Sequence, residues 1–325
     1  MNRNNKEHDR GDFLAASMRA VASEVINWSG ESRVLQTLRT ELDQAFERCT
    51  DPAFAERYHS FIKIGQPSDY LSRVVEADGV RALAGIHFCG RDTNKPFVNI
   101  SAMDGKPTRW SGVVEALLEA FRVFQPRVCR IQSAGSEPPF EEAGLRVVGD
   151  QLVVAERVGR MMSDGLSTGP VSLRDAQPQP ALEFVSRMYE QHLRLNPELV
   201  GRVEAATLDQ LQGCSEHGVL AWWCVDDDIA GLIAASPDSG FGIEGWVVME
   251  EVVDPKFSGR GSAALAQREV AGRIFAKDQD AVLFGTIDFV NTASRRSAAR
   301  AGRKEIAGWW FVQPAEPGAD SILVW

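Results

Sequence analysis

Apolar and polar positions alternate in two rhythms along this chain, and the second half shows them most clearly. The stretch GPVSLRDA (169–176) predicts a short strand. From Pro180 to about Gly213 the spacing is helical and is broken by LNPEL at 195–199. Pro197 is placed to open a helix, so two helices with a loop between them are expected. The stretch GVLAWWCVDDDIAGLIAAS (218–236) predicts a hairpin turning at Asp226, Asp227 and Asp228. GIEGWVVMEEVVDP (242–255) predicts a long strand that ends at Pro255. Residues 262–277 predict a helix with Leu265, Ala266, Val270, Ile274 and Phe275 on one side. A buried strand (281–290), a short basic helix from Asn291 to its stop at Gly302, and a last strand (305–313) complete the half. A hairpin combined with a helical crossover implies an α/β architecture, a mixed sheet flanked by helices.

The first half carries the same plan in weaker form. Residues 30–62 are helical in pattern. RVVEADGVRALAGIHF (73–88) is a hairpin with Asp78-Gly79 at its turn. FVNISA (97–102) predicts a strand, Ser111–Phe124 a helix, RVCRIQSA (127–134) a strand and FEEAGL (140–145) a short helix. VVGDQLVVAERV (147–158) is expected to close the first sheet. The repetition of element order predicts an internal duplication. The expected organisation is a disordered tail (1–12), a first domain (13–160), a linker rich in Gly, Ser and Pro (161–170) and a second domain (171–325).

Composition narrows the classes. The chain has 325 residues, 44% hydrophobic and 25% charged, the balance of a globular protein. No apolar run is long enough to span a bilayer, and the polar start lacks the apolar core of a signal peptide, so a cytoplasmic location and no membrane partner are expected. The net charge of −10 argues against general nucleic-acid binding. Five scattered cysteines and five scattered histidines form no ligand spacing, so no metal is expected.

The loop FSGRGSAAL (257–265) carries the chemistry. Glycine loops that open helices hold phosphates. A triphosphate P-loop needs a lysine after Gly261, and none is there. The dinucleotide pattern GxGxxG/A is met by Gly259, Gly261 and Ala264, but Pro255-Lys256-Phe257 separates the strand from the glycines, and too few residues follow to build a dinucleotide sheet. Two readings remain for the loop alone: diphosphate recognition by successive N–H groups from Ser258 to Ala263, helped by the helix dipole, and a plain turn before a packed helix.

The segment VVDPKFSGRGSAALAQREVA resembles the acetyl-CoA-binding segment of the GNAT acetyltransferase superfamily, where V-x-P ends a strand and [Q/R]-x-x-G-x-[G/A] opens a helix. Val253-Asp254-Pro255, Gly261 and Ala263 agree, whereas Ser258 stands where Gln or Arg is usual. NTASRRSAARAGR (291–303) resembles the family's N-x-x-[A/S]-x-x-x-Y-x-x-x-G-F segment through Asn291, Ser294 and Gly302. Ala298 replaces the tyrosine and Arg303 the phenylalanine. The resemblance implies two GNAT-like domains, each a mixed central β-sheet flanked by helices, with the first a degenerate, non-catalytic copy.

It further implies an N-acyltransferase, in the first instance an N-acetyltransferase. Acetyl-CoA or another acyl-CoA would be held by Val252, Val253, Ser258, Gly259, Arg260, Gly261, Ser262, Ala263, Asn291 and Ser294. A backbone N–H of Val252 or Val253 would face the thioester oxygen. For the general base, Glu244, Glu250 and Glu251 lie on or beside the 242–255 strand, and period-two alternation puts Glu244 and Glu250 on one face. Glu244, set in an apolar strand, is favoured. Ser297 and Ser294 flank the missing tyrosine and are the candidates for a proton donor. The basic run Arg295, Arg296, Arg300, Arg303 and Lys304 reads as a solvated helix face or a contact for the 3′-phosphate of coenzyme A. Tyr189, His192 and Arg194 lie where this fold places acceptor-recognition helices. The tryptophans Trp222, Trp223, Trp246, Trp309 and Trp310 read mainly as core.

The expected acceptor is the amine of a small molecule or peptide, and either a monomer or a homodimer is compatible. The alternatives are a non-catalytic CoA-binding pseudoenzyme and an aminoacyl-tRNA-dependent acyltransferase.

Overall fold

The computed structural model describes residues 3–163 and 171–315, which form two compact units. The first comprises residues up to Asp150 together with 240–242 and the segment from Ala307 onward. The second comprises Gln151–Ser239 and Ile243–Ile306.

The first unit opens with four helices, α1 (Arg3–Arg19), α2 (Ser23–Ser29), α3 (Glu31–Glu47) and α4 (Pro52–Ile62). The tail expected to be disordered over 1–12 is thus helical from Arg3. Its end is tied down, because the Asp12 carboxylate pairs with Arg81 at 2.9 Å and the next residue, Phe13, is fully buried. Val34, Leu38, Leu42 and Ala45 give α3 a buried stripe at helical spacing. Asp51 caps α4 by accepting from the N–H groups of Ala53 and Phe54, with Pro52 in the first turn. β1 (Arg73–Ala77) and β2 (Val80–Phe88) form the expected hairpin. Its turn residues Asp78 and Gly79 both take positive φ, which suits a two-residue turn. β3 (Pro96–Gly105), α5 (Trp110–Ala120) and β4 (Val128–Ala134) follow, with β2 antiparallel and β4 parallel to β3.

FEEAGL does not form a helix. The carboxylate of Glu142 instead accepts from the N–H groups of Trp110 and Ser111 at 2.7 and 2.9 Å. Phe140 stacks on Trp110 at 4.1 Å. The segment is therefore used to cap α5, whose first N–H groups have no intrahelical partner.

β5 (Leu145–Arg157) carries the chain into the second unit. There α6 (Val158–Ser163), β6 (Val171–Asp175), α7 (Pro178–Leu195) and α8 (Leu208–His217) precede the three-strand run β7 (Val219–Val225), β8 (Asp228–Gly240) and β9 (Ile243–Val253). α9 (Ser262–Phe275), β10 (Val282–Asp288), α10 (Thr292–Ala301) and β11 (Lys304–Pro314) complete the chain. Of the expected linker, 164–170 lie outside the described residues, and 161–163 end α6, whose Met161 is fully buried. Pro197 starts only a short 3-10 turn. The second helix begins at Leu208, where Thr207 and Gln210 form a capping box.

The sheet of the second unit runs β5-β10-β9-β8-β7-β6. One face packs on α6 and α9 through Trp223, Ile233, Trp246, Val270 and Ile274. The other packs on α7 and α8 through Phe184, Val185, Leu211, Leu232 and Val252.

The last strands are exchanged between the halves. Residues 151–157 of β5, expected to close the first sheet, pair antiparallel with β10, Val154 opposite Gly285. Residues 307–312 of β11 pair antiparallel with β4, Trp310 opposite Ile131. Otherwise the two units share the order α-α-β-β-β-α-β, and in each the third strand pairs parallel with the fourth.

Candidate functional site

The candidate site is built at the C-terminal ends of the parallel strands β9 and β10. Their parallel pairing covers only Leu283 opposite Trp246 and Phe284 opposite Val247. Beyond these residues both strands continue, to Val253 and Asp288, with Gly285 still close to Val248. Ligands of α/β sheets bind at such ends.

The glycine loop lies at the end of β9. Asp254 anchors it, its N–H bonding to Ala230 O at 2.8 Å and its carboxylate accepting from Lys256 N. A 3-10 turn over Pro255–Phe257 follows. Gly259 and Gly261 then take φ of 77° and 79°, values that strain any residue with a Cβ. Gly261 is the N-cap of α9 and brings no side chain to the exposed N–H groups, and the first turn has no acidic residue. Nothing lies within 4 Å of a Cβ built on Gly259, and Arg300 Nη1, at 4.0 Å, is the nearest group to one built on Gly261. Arg260 stands over the Phe257 ring. An uncapped helix start with open space and two guanidinium groups nearby fits a diphosphate. Ser262 is buried at the first helical position, and Ala263 packs against the core. The N–H of Ser258 is not part of the cradle, because it bonds to Pro255 O.

Alternation along β9 slips by one residue at its middle. Trp246 and Val248 face α9, whereas Met249 packs in the α7/α8 cluster. Glu250 is on that same side, bonded to Ala206 and Tyr189, and Glu251 returns to the α9 side. Two successive residues on one face are the mark of a bulge. The expectation that Glu244 and Glu250 share a face fails for this reason. Glu244 is exposed near the start of the strand, while Glu250 is 4% exposed near its end.

Glu250 is held by three donors. Ala206 N donates to Oε2 at 2.9 Å; Glu251 N at 3.0 Å and the Tyr189 hydroxyl at 3.2 Å reach Oε1. Burial pushes its pKa up to about 7, against the opposing pull of these hydrogen bonds. A carboxyl that titrates there can exchange a proton at neutral pH. His192, one turn after Tyr189 on α7, donates from Nε2 to Val253 O at 2.7 Å. Arg194 is exposed beside Glu190.

The α9 side carries a second polar group. Gln267, fully buried, donates to Glu251 Oε2 at 2.6 Å and contacts Ser297 Oγ at 3.0 Å. Ser297 donates to Glu251 Oε1 at 3.2 Å. Arg303 Nε donates to Gln267 Oε1 at 3.0 Å. Arg303 is 5% exposed, and burial lowers its pKa to about 10. Burial raises the pKa of Glu251, with Arg303 opposing. The basic run is therefore not one solvated face: Arg303 is internal, Arg295 pairs with Glu305, Lys304 approaches Glu156, and Arg296 and Arg300 are exposed. Ser297, expected near the missing tyrosine, directs its hydroxyl to Glu251. Ala298 itself is fully buried.

Asn291 caps α10, its side-chain oxygen accepting from Ser294 N at 3.1 Å, and Gly302 ends that helix at φ 100°. Trp223 is fully buried, Trp246 nearly so, and Trp222 meets Phe184 edge-on. In the first unit, Trp310 donates to Ser133 and Trp309 lies under Arg130.

Sequence reasoning passed over three members of the site. Gln267 looked like an ordinary helical residue. Arg202 and Asp288 form an ion pair of 2.9 Å that ties the α7–α8 connection to the end of β10, and their separation of 86 positions leaves no local signal.

Among the described residues no group of His, Cys, Asp or Glu is placed to hold a metal ion, and no helix is long and apolar enough to cross a membrane.

No family model and no curated protein matches the sequence. Solved structures do. A GCN5-related N-acetyltransferase from Sphaerobacter thermophilus is similar at TM-score 0.46 and 14% identity, over 84% of this chain and 96% of that one. A Drosophila protein is similar at TM-score 0.45 and 13% identity, over 94% and 96%. A tandem GNAT protein from the clavulanic acid biosynthesis pathway is similar at TM-score 0.40 and 15% identity, over 69% and 77%. Acetyltransferases of the GNAT family recur among the solved structures to which this chain is similar.

Proposed function

We propose that the chain is an N-acyltransferase of GNAT type, which moves an acyl group, in the first instance acetyl, from acyl-CoA to an amine. The observation that carries this reading is one continuous arrangement. The uncapped glycine loop follows the end of β9, and Glu250, a carboxyl whose pKa burial raises to about 7, lies near the end of the same strand.

The loop N–H groups after Ser258, with Arg260 and Arg300, would hold the diphosphate. The acyl-bearing arm would lie between β9 and β10. A backbone N–H of Val252 or Val253 would stabilise the oxyanion of the tetrahedral intermediate. Glu250 takes a proton from the attacking amine, the C–N bond forms, the C–S bond breaks and the thiolate leaves. No side-chain acid is needed at that last step, because a thiol of ordinary pKa, about 8.5, is a workable leaving group. This accounts for the buried Ala298 and for a Ser297 hydroxyl committed to Glu251.

A non-catalytic CoA-binding reading rests on Ala298 and Ser258, and the raised pKa of Glu250 favours turnover. The test is thiol release from acetyl-CoA and longer acyl-CoAs in the presence of a library of small amines and peptides. Amide product with any amine supports the reading. Coenzyme A binding without product from the whole library refutes it.

A further inference from the structure

The Tyr189 hydroxyl has two acceptors and one proton. It is 3.2 Å from Glu250 Oε1 and 3.1 Å from the backbone oxygen of Glu204. The Glu250 carboxylate has about four lone-pair positions. Oε1 uses two, for Glu251 N and Tyr189. Oε2 uses one, for Ala206 N, so one position on Oε2 has no donor among the described residues. An incoming proton therefore has a single place to go.

We propose that Tyr189 is the positioning residue of this site: its hydroxyl holds the ionised Glu250 so that the remaining lone pair of Oε2 receives the proton of the attacking amine. While Glu250 is ionised, its carboxylate outcompetes the neutral Glu204 carbonyl for the Tyr189 proton, since charge-assisted bonds are about twice as strong. Once Oε2 is protonated that advantage disappears, and the Tyr189 proton turns to Glu204 O. The amine proton stays on Glu250 until solvent removes it, and no other atom changes its bonding. Tyr189 thus stabilises the basic form of Glu250 and not its protonated form.

The groups around Glu250 leave few rival explanations for a change in its titration. From α7 it meets Tyr189, while His192 on the same helix is engaged with Val253 O. From the α7–α8 connection it meets Ala206 N; of the charged residues there, Arg202 is paired with Asp288, and Glu198 and Glu204 are exposed. On its own strand Glu251 is the charged neighbour.

The proposal rests on the acyltransferase reading, and the test separates the two. The full chain is labelled with glutamate carrying 13C at the side-chain carboxyl, and Glu250 is assigned by its loss in Glu250→Gln. Its titration is followed by NMR in the wild type and in Tyr189→Phe, with the pH profile of kcat/KM for acyl transfer measured in parallel. Removing a hydrogen bond to a charged group is expected to move the Glu250 midpoint upward by about one pH unit, and the acid limb of the profile with it. Global replacement of the three tyrosines by 3-fluorotyrosine, a stronger donor of the same shape, is expected to move the midpoint downward. A midpoint that stays put in both proteins overturns the role of Tyr189, whatever the activity. A shifted midpoint in a protein that transfers no acyl group counts instead against the acyltransferase reading.

Discussion

Removing the guanidinium of Arg303 is expected to destabilise the second unit far more than removing it together with the charge of Glu251. Arg303 is 5% exposed, donates to Gln267 at 3.0 Å and has an Nη1 atom that is buried without a hydrogen-bond partner. Gln267 in turn holds Glu251 at 2.6 Å. Methionine approximates the length and apolar volume of the arginine stem, so Arg303→Met removes charge more than packing. Glu251 then loses the cation that opposes its raised pKa. Stranding one member of a buried charge pair costs about 3–5 kcal/mol. At about 2–4 °C per kcal/mol for a unit of this size, Tm should fall by about 6–20 °C.

The sign of the pH dependence follows from Glu251. A carboxyl whose folded pKa lies above its unfolded value, near 4.5, imposes no penalty below that value. The penalty grows as pH rises and saturates above the folded pKa. The gap between Arg303→Met and wild type should therefore be widest at pH 8 and shrink toward pH 5. Urea denaturation of wild type, Arg303→Met, Glu251→Gln and the double variant, at both pH values, measures it. The double variant should recover about 2 kcal/mol or more of coupling at pH 8. A single variant within 1 kcal/mol of wild type at pH 8, or strictly additive effects, would refute the reasoning.

Three further outcomes are expected. Gly261→Ala, placed at φ 79°, should weaken acyl-CoA binding about tenfold by calorimetry while circular dichroism shows the fold retained. Glu250→Gln should lower kcat by about 10²–10⁴ with little change in KM for acyl-CoA, and should abolish the acid limb of the pH profile in steady-state kinetics. The Glu142 carboxyl is held below its ordinary value first by the Ser111 side chain and then by the N–H groups of Ser111 and Trp110. Its contribution is present above pH 4.5 and lost as pH falls through the lower folded value, so Glu142→Gln should flatten the acid limb of first-unit stability in denaturation curves.

Strands and helices with strong periodicity were legible in the sequence, because burial on one face imposes its own spacing. The 73–88 and 218–236 hairpins and the helices near 262 and 291 are where the pattern places them. What escaped depends on partners distant in the chain. FEEAGL has helical composition, but its Glu142 is used at the start of α5. The strand at 147–158 pairs with β10 and not with its own half, and alternation within a strand does not identify its neighbour. The face of Glu250 was misread because a bulge leaves no mark in composition, and Glu244, favoured for its apolar neighbours, is exposed. Arg303 sits in a run of surface-like cations, and only Glu251 and Gln267, brought up from other elements, explain its burial.

The central claim is that the second unit binds an acyl-CoA through the α9 glycine loop. Isothermal titration of the folded full chain with acetyl-CoA and with longer acyl-CoAs tests it most directly. The account predicts saturable binding of at least one of them, weakened in Gly261→Ala. A folded protein that binds none of them would contradict it.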